Sequence, residues 1–300
     1  MNRSLTRAAG LVAAWFDSHA TASHAADPRR IEWLRQVPFL AIHAGCLLLP
    51  WAGTSAAAVG TCIALYAVRM FAITAFYHRY FSHRAFRAGR VTQFVFALLG
   101  ASAAQRGPLW WASHHRHHHV HSDQPQDSHS ALRHGLAWSH FGWFMARGNF
   151  RPRLELVESF AQYPELRFLD RFDALVPMAL AIGLYLAGGL QMLVWGFCVS
   201  TVLLYHATFS INSLAHSLGS RRYATRDASR NNFWLALLTF GEGWHNNHHH
   251  YPASARQGFF WWEIDATWWI LKLLATAGIV HDLRPVPIAV RDATSREEQA

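Results

Sequence analysis

The sequence predicts an all-α integral membrane protein, with four transmembrane helices in two hairpins carrying a cytosolic helical cap. Three observations lead there. Two long stretches, 36–68 and 174–220, contain no Lys, Arg, Asp or Glu. Each has turn-forming residues near its middle. Dense histidine groups sit where the chain leaves those stretches.

Each charge-free stretch exceeds the roughly 20 residues that one crossing needs. Pro50-Trp51-Ala52-Gly53-Thr54-Ser55 divides the first, and Ala187-Gly188-Gly189-Leu190-Gln191 the second. The expected spans are therefore 37–53, 56–77, 174–189 and 191–211. The hairpin turns carry no Lys or Arg, whereas the flanking segments are rich in Arg. By the positive-inside rule both termini and all polar segments face the cytoplasm. Arg69 falls near the cytoplasmic end of the second span, where its stem could snorkel. Val91 to Leu109 is marginal as a further crossing. Such a crossing would put the histidine groups on opposite faces, so it reads as a membrane-dipping or cap helix.

The remaining organisation follows. Residues 1–36 form a cytosolic N-terminal segment and 37–290 a membrane domain, whose cap comprises 78–173 and 212–290; a disordered tail, 291–300, completes the chain. Arg3, Arg7 and the apolar run Ala8 to Phe16 faintly resemble a signal peptide, but Asp17 and His19 end that run early. A cytosolic amphipathic helix is the better reading. Phe259 to Ile279, with Trp261, Trp262, Trp268 and Trp269, looks interfacial because Glu263, Asp265 and Lys272 interrupt it.

Composition agrees. Apolar residues make up 52% and charged residues 15%, with 14 Trp, a residue that favours membrane interfaces. The net charge of +9 fits anionic lipid headgroups or a phosphorylated substrate better than nucleic acid, for which no motif appears. Cys46, Cys62 and Cys198 all lie in apolar stretches, which excludes a disulfide framework.

The histidines carry the chemistry. They cluster as His78 and His83 at the end of the second span, as His114, His115, His117, His118 and His119, and as His245, His248, His249 and His250; His216 follows the fourth span. Residues at i, i+3 and i+4 share a helix face, so His115/His118/His119 and His245/His248/His249 can each aim three imidazoles at one point. His114/His117/His118 has the same spacing, and spacing alone leaves that register open. His78 and His83 lie about 140° apart on an ideal helix, so the helix should end between them. Nine imidazoles would then converge from four segments, enough for two metal ions. Imidazole suits Fe, Cu, Ni and Zn alike. The bland alternative is a solvated patch that binds metal adventitiously, against which three clusters at ligand spacing weigh heavily. His19, His24, His43, His134, His140, His206 and His281 read as interfacial hydrogen-bonding groups. Glu242 precedes His245 by three, but the Glu-x-x-His pairs of soluble di-iron bundles are absent.

At these residues the chain resembles the membrane fatty-acyl desaturases, the Δ9 stearoyl-CoA type and its bacterial relatives. The matching stretches are Tyr77-His-Arg-Tyr-Phe-Ser-His83, Gly107-Pro-Leu-Trp-Trp111 leading to His115-Arg-His-His-His119, Asn212-Ser-Leu-Ala-His216 and Gly241-Glu-Gly-Trp-His-Asn-Asn-His-His249. The resemblance implies a cytosolic non-haem di-iron site. It fixes the central register and assigns as ligands His78, His83, His115, His118, His119, His216, His245, His248 and His249. Asn212 would hold one iron through a water. The implied reaction uses O2 to place a cis double bond, Δ9 by family default, in a saturated acyl chain carried on CoA or lipid. Two electrons would come from a ferredoxin or from cytochrome b5 with its reductase. Trp110, Trp111 and Trp244 become candidate tunnel walls. By the same analogy Cys62 and Tyr66, roughly 24 and 18 Å deeper than His78 along the second span, would floor the tunnel.

Two rivals bear on this reading. A membrane di-iron hydroxylase would share the ligands. A histidine-rich metal transporter would need a path of ionisable groups through the spans, and His43 and His206 are not expected to form one.

Overall fold

The computed structural model describes residues 13, 15–18 and 29–293. Arg3, Arg7, His19, His24 and the last residues of the tail lie outside the described residues. Among those described, apolar sequence becomes helix, and the breaks fall at glycine or proline.

Helix α1 (Val37–Cys46) starts with Pro38 in its first turn, where a missing N–H costs nothing. The chain turns at Leu47–Leu48, resumes as α2 (Leu49–Ala52) and stops at Gly53, whose φ of +68° suits glycine. The first expected span is thus two short helices. Ser55 then caps α3 (Ala56–Ser82), its Oγ accepting from the Ala58 amide at 3.2 Å.

The second apolar stretch, Leu175–His216, is helical over 42 residues. Among the described residues, it and α3 are the two helices long and apolar enough to cross a membrane. Its winding is interrupted at Gly188 and Gly189, where φ is −161° and +60°, the site expected for the turn. We name its parts α7 (Leu175–Met192) and α8 (Ser200–Ser213), joined by a wider π-wound segment, Leu193–Val199. The two turns meet. Gln191 accepts from Ser55 Oγ at 2.7 Å, and Trp195 Nε1 donates to the Gly53 carbonyl at 3.0 Å.

Between these stretches lie α4 (Arg90–Ala101), α5 (Pro108–His121) and α6 (Pro164–Arg171). Twelve residues give α4 a length of about 18 Å, short of the ~30 Å hydrocarbon core. It packs along α3, with Phe96 stacked on Phe76 at 3.9 Å and Tyr77 Oη donating to Ala97 O at 3.1 Å. After α8 come α9 (Phe233–Leu238), α10 (His245–His250) and α11 (Ala266–Thr276). A two-residue antiparallel ladder joins β1 (Arg87–Ala88) to β2 (Val280–His281).

Two expectations change here. Arg69 does not snorkel. It is 1% exposed, donating to Leu65 O, Ser102 O, Ser200 Oγ and Thr201 Oγ1, because α4 and α8 cover the face on which it lies. Glu263 and Asp265 do not face an interface either. Both are buried as partners of Arg222 and Arg79, and Trp261 projects outward beside them at 84% exposure. The helix carrying His78 ends at Ser82, between His78 and His83 as expected. From Ala72 to Ser82 its hydrogen bonds close over five residues instead of four.

Candidate metal centre

That wider winding delivers the first pair of imidazoles. On an α-helix His78 and His83 would diverge, but i→i+5 bonding sets residues five apart one above the other, and the His83 amide donates to the His78 carbonyl at 3.3 Å. Their rings lie 4.9 Å apart. Arg116 closes this helix end from α5. Its guanidinium donates at 2.7 Å to the carbonyls of Phe81, Ser82 and Leu156, which satisfies acceptors the helix leaves open.

The nine histidines assemble into two groups. His78, His83, His115, His119 and His248 present ligand atoms within 4.8 Å of one another, and so do His118, His216, His245 and His249. Each helix triplet is split, which differs from the expectation of one common point. Residues i and i+4 are offset by about +40°, while i+3 is offset by about −60°. Accordingly His115/His119 and His245/His249 stay together, and the i+3 members His118 and His248 turn to the other group. The two groups abut, with the His119 ring 4.4 Å from that of His249.

The imidazoles converge through Nε2. His83 meets His115 at 2.8 Å, His119 meets His248 at 2.9 Å, and His216 meets His245 at 3.1 Å, all between Nε2 atoms. Each contact alone could be an imidazole hydrogen bond, but five and four ligand atoms gathered within 4.8 Å suit a shared cation in each group. The outward Nδ1 atoms meet carboxylates instead: His118 with Asp127 at 2.9 Å, His216 with Asp123 at 2.9 Å, His249 with Asp227 at 2.5 Å, and His78 with Glu242. Carboxylate–histidine pairs of this kind fix the tautomer and aim the other nitrogen at a metal. The buried Nε2 of His249 has no hydrogen-bond partner among the described residues. The residues present therefore fit a pair of transition-metal ions.

Electrostatics point the same way. Burial, then neighbouring imidazoles, holds His83, His115, His119, His245 and His248 well below the ordinary imidazole range, so they are neutral and free to ligate. Burial brings His249 down to about 4 against the opposing pull of Asp227. For His118 burial is outweighed by Asp127, and the net direction is upward. Burial would raise Asp123, but its hydrogen bond to His216 more than offsets that and leaves it at about 2.

The neighbouring histidines are separate. His114 is buried with Nε2 on the Arg151 carbonyl at 3.1 Å, His117 packs beside His121, and His250 stacks on Tyr223 at 4.0 Å. His118, Asp127 and His129 form a third close set, but its members His118 and Asp127 already serve the second group.

A cavity of about 400 Å³ runs from Arg35, Gln36 and Arg106 past Trp110 and Trp111 to His115 and Asn212. Ile42, Ala181 and Phe197 are among its apolar lining residues. A smaller one holds Asn212 beside His78, His115, His118 and His245. Trp111 stacks on His115 at 5.1 Å, and Trp110 lines the wall with its indole donating to Asn149 O at 2.6 Å. Cys62 and Tyr66, expected at the tunnel floor, and Trp244, expected in its wall, line neither of these two cavities. The Tyr66 hydroxyl donates to Leu238 O at 2.6 Å. Trp244 is anchored to Ile264 O instead.

Sequence reasoning missed the carboxylates. Asp123, Asp127 and Asp227 lie in irregular segments whose geometry no periodicity reveals. Glu242 was noticed for its spacing to His245 and instead serves His78 on α3. Asp227→Asn is expected to keep the fold and weaken metal binding by ~10–100-fold, as loss of a supporting carboxylate does; titration with a competing chelator measures it.

The protein-family model described as fatty acid desaturase matches residues 53–282. The chain is 37% identical over 259 residues to an sn-1 stearoyl-lipid 9-desaturase of Anabaena variabilis, covering 85% of this chain and 94% of that one. It is 38% identical over 279 residues to an sn-2 palmitoyl-lipid 9-desaturase of Nostoc sp. (strain 36), covering 89% and 95%. A chloroplastic palmitoyl-monogalactosyldiacylglycerol delta-7 desaturase of Arabidopsis thaliana is 39% identical over 231 residues, 76% of this chain, which spans 62% of that protein's length.

Proposed function

The chain belongs to the fatty acid desaturase family, and on that premise we propose that it places a cis double bond, of the Δ9 type, in a saturated fatty-acyl chain carried on lipid or CoA. The observation that carries the proposal is the pairing of two imidazole groups with an apolar cavity that ends against them. One iron would be held by His78, His83, His115, His119 and His248. The other would be held by His118, His216, His245 and His249, with Asn212 beside it. Such an iron pair, supplied with O2 and two electrons from a ferredoxin or cytochrome b5, provides the oxidising power to take two hydrogens from adjacent methylenes while O2 leaves as water.

The protein's own work is positioning. A methylene offers no polar handle, so the site of reaction is set by how far the acyl chain can be drawn along the cavity. Trp110 and Trp111 form the wall where the chain would pass the ligands. Ile42, Ala181 and Phe197 would receive its methyl end. Ala181→Trp should therefore shorten the chains accepted by about two or more carbons, whereas Tyr66→Ala should leave the chain-length profile unchanged. A product profile from mixed C14–C18 substrates separates the two.

In the same reading the chain crosses the membrane near 37–53, 56–77, 174–189 and 191–211. The cap of 78–173 and 212–290 then faces the cytoplasm together with both termini. The two long apolar helices, the break at Gly188–Gly189 and the absence of Lys and Arg from both turns support this topology.

The test is a fatty-acid profile by gas chromatography and mass spectrometry, with the protein expressed in a host lacking its own desaturase. A new monounsaturated acid with its double bond at C9 is expected. A hydroxylated acid in its place would overturn desaturation.

A further inference from the structure

Three histidines outside both metal groups form a continuous row that crosses three elements. His43 on α1 meets His206 on α8 at 3.3 Å between Nε2 atoms. His206 Nδ1 meets His140 Nε2 of the cap at 2.9 Å, and His140 Nδ1 meets Ser213 Oγ at 3.0 Å. His43 and His206 touch because α1 and α8, distant in sequence, lie side by side. The far end of the row orders it. His43 Nδ1 contacts the Phe39 carbonyl at 2.8 Å, and a carbonyl only accepts. His43 must donate there, which leaves its Nε2 to accept from His206, His206 Nδ1 to accept from His140, and His140 Nδ1 to accept from Ser213. This ordering keeps all three imidazoles neutral, with the one Ser213 hydroxyl proton shared between His140 Nδ1 and the Phe209 carbonyl at 3.2 Å.

This row stands against the outside of the cavity wall. Phe39, Phe144, Tyr205 and Phe209 line the cavity and touch one another, with ring centroids 5.0–5.6 Å apart. The three imidazoles line no part of it, yet His43 packs on Phe39 at 4.4 Å and His140 on Phe209 at 5.7 Å. His206 is exposed on the outer side. The wall between cavity and bilayer is one layer of aromatic rings, backed by a row of hydrogen bonds.

α1 is the outer panel of that wall: none of its ten residues is buried, and Gly45 packs against Cys198 of the π-wound segment. Beyond it, Gln191 Nε2 donates to Ala52 O of α2 at 3.2 Å and Trp195 to Gly53 O. Toward the cap, His206 grips both α1 and His140, one with each ring nitrogen. A seam meant to stay shut in hydrocarbon would be sealed by close apolar packing. One closed by hydrogen-bonded ring edges can part and re-form.

We propose that the seam between α1 and α8 is a lateral door through which the acyl chain of an intact bilayer lipid enters the cavity, with His43, His206 and His140 as its latch. This rests on the desaturase reading for its purpose and deepens it, because it makes a membrane glycerolipid the substrate class. An acyl-CoA would enter from the aqueous mouth at Arg35 and Arg106 instead.

The test uses the full chain in phosphatidylcholine vesicles doped with a phosphatidylcholine bearing a diazirine at its chain end. Mass spectrometry maps the labelled residues after illumination. In the double variant His43→Cys/His206→Cys, a thiol-bridging reagent such as dibromobimane staples α1 to α8, with the single variants controlling for Cys46, Cys62 and Cys198. Label on Ala181 and Phe197 is expected before stapling, with a tenfold or greater loss after it. His206→Leu, which removes the latch from α8, should speed that labelling severalfold. Equal cavity labelling with the staple closed would overturn the door. So would labelling only by a diazirine acyl-CoA added from water. The readout needs neither metal nor turnover, so a protein that labels as expected but makes no unsaturated product would refute the desaturase reading and leave the door standing.

Discussion

Replacing His118 by Ala is expected to lower iron from two ions per chain toward one and to reduce desaturation by more than about a hundredfold. That exceeds the ~10–100-fold that loss of a supporting hydrogen bond costs. The side chain is 4% exposed, its Nδ1 donates to Asp127, and its ring faces those of His216 and His249 at 5.3 Å. The substitution therefore removes a donor from the second group and also strands a buried carboxylate. His117→Ala is the control, one residue away on the same helix but outside both groups, and its iron content should match the wild type. Elemental analysis of the purified protein, paired with product quantification, reads both. A His118→Ala protein that kept two irons would remove this residue from the ligand set.

Arg79→Met should cost about 3–5 kcal/mol of stability, the range for breaking a buried ion pair by deleting one partner. Arg79 is 1% exposed between two carboxylates, with Nη2 at 3.1 Å from Glu242 and 3.0 Å from Asp265, and Nη1 donates to Ala255 O at 2.8 Å. Methionine fills the space but leaves two buried carboxylates facing each other. Asp265 also caps α11, and Glu242 orients His78, so the loss should spread to the cap and to the first metal group. Arg87→Met tests the opposite case. That side chain is 82% exposed in its pair with Asp282, and the change should stay within ~0.5 kcal/mol. Thermal unfolding in detergent compares the two.

The parts of this molecule that were legible in the sequence follow local rules. Apolar length without charge located α3 and α7 with α8, glycine pairs located the breaks, and i, i+3, i+4 spacing located the ligand helices. What was not legible depends on partners distant in the chain. Nothing in Ala72–Ser82 announces a switch from four-residue to five-residue bonding, yet that switch lets His78 and His83 share a group. Spacing showed that His115, His118 and His119 face one way, but only the neighbouring α10 decides that His118 parts from the other two. The contact of Tyr66 with Leu238 was not legible either, because residue count gives depth along a helix whereas azimuth depends on what packs against it. Arg69 and Asp265 look like surface charges until their buried partners are known.

The division of each ligand helix between two groups has a consequence for how the molecule is made. Each group draws on both halves of the chain: the first joins His78 and His83 to His248, and the second joins His118 to His245 and His249. A nascent chain on the ribosome holds neither set until α10 has been synthesised and has folded back onto α5. A chain truncated before α10 would keep four of the five imidazoles of the first group but only His118 and His216 of the second.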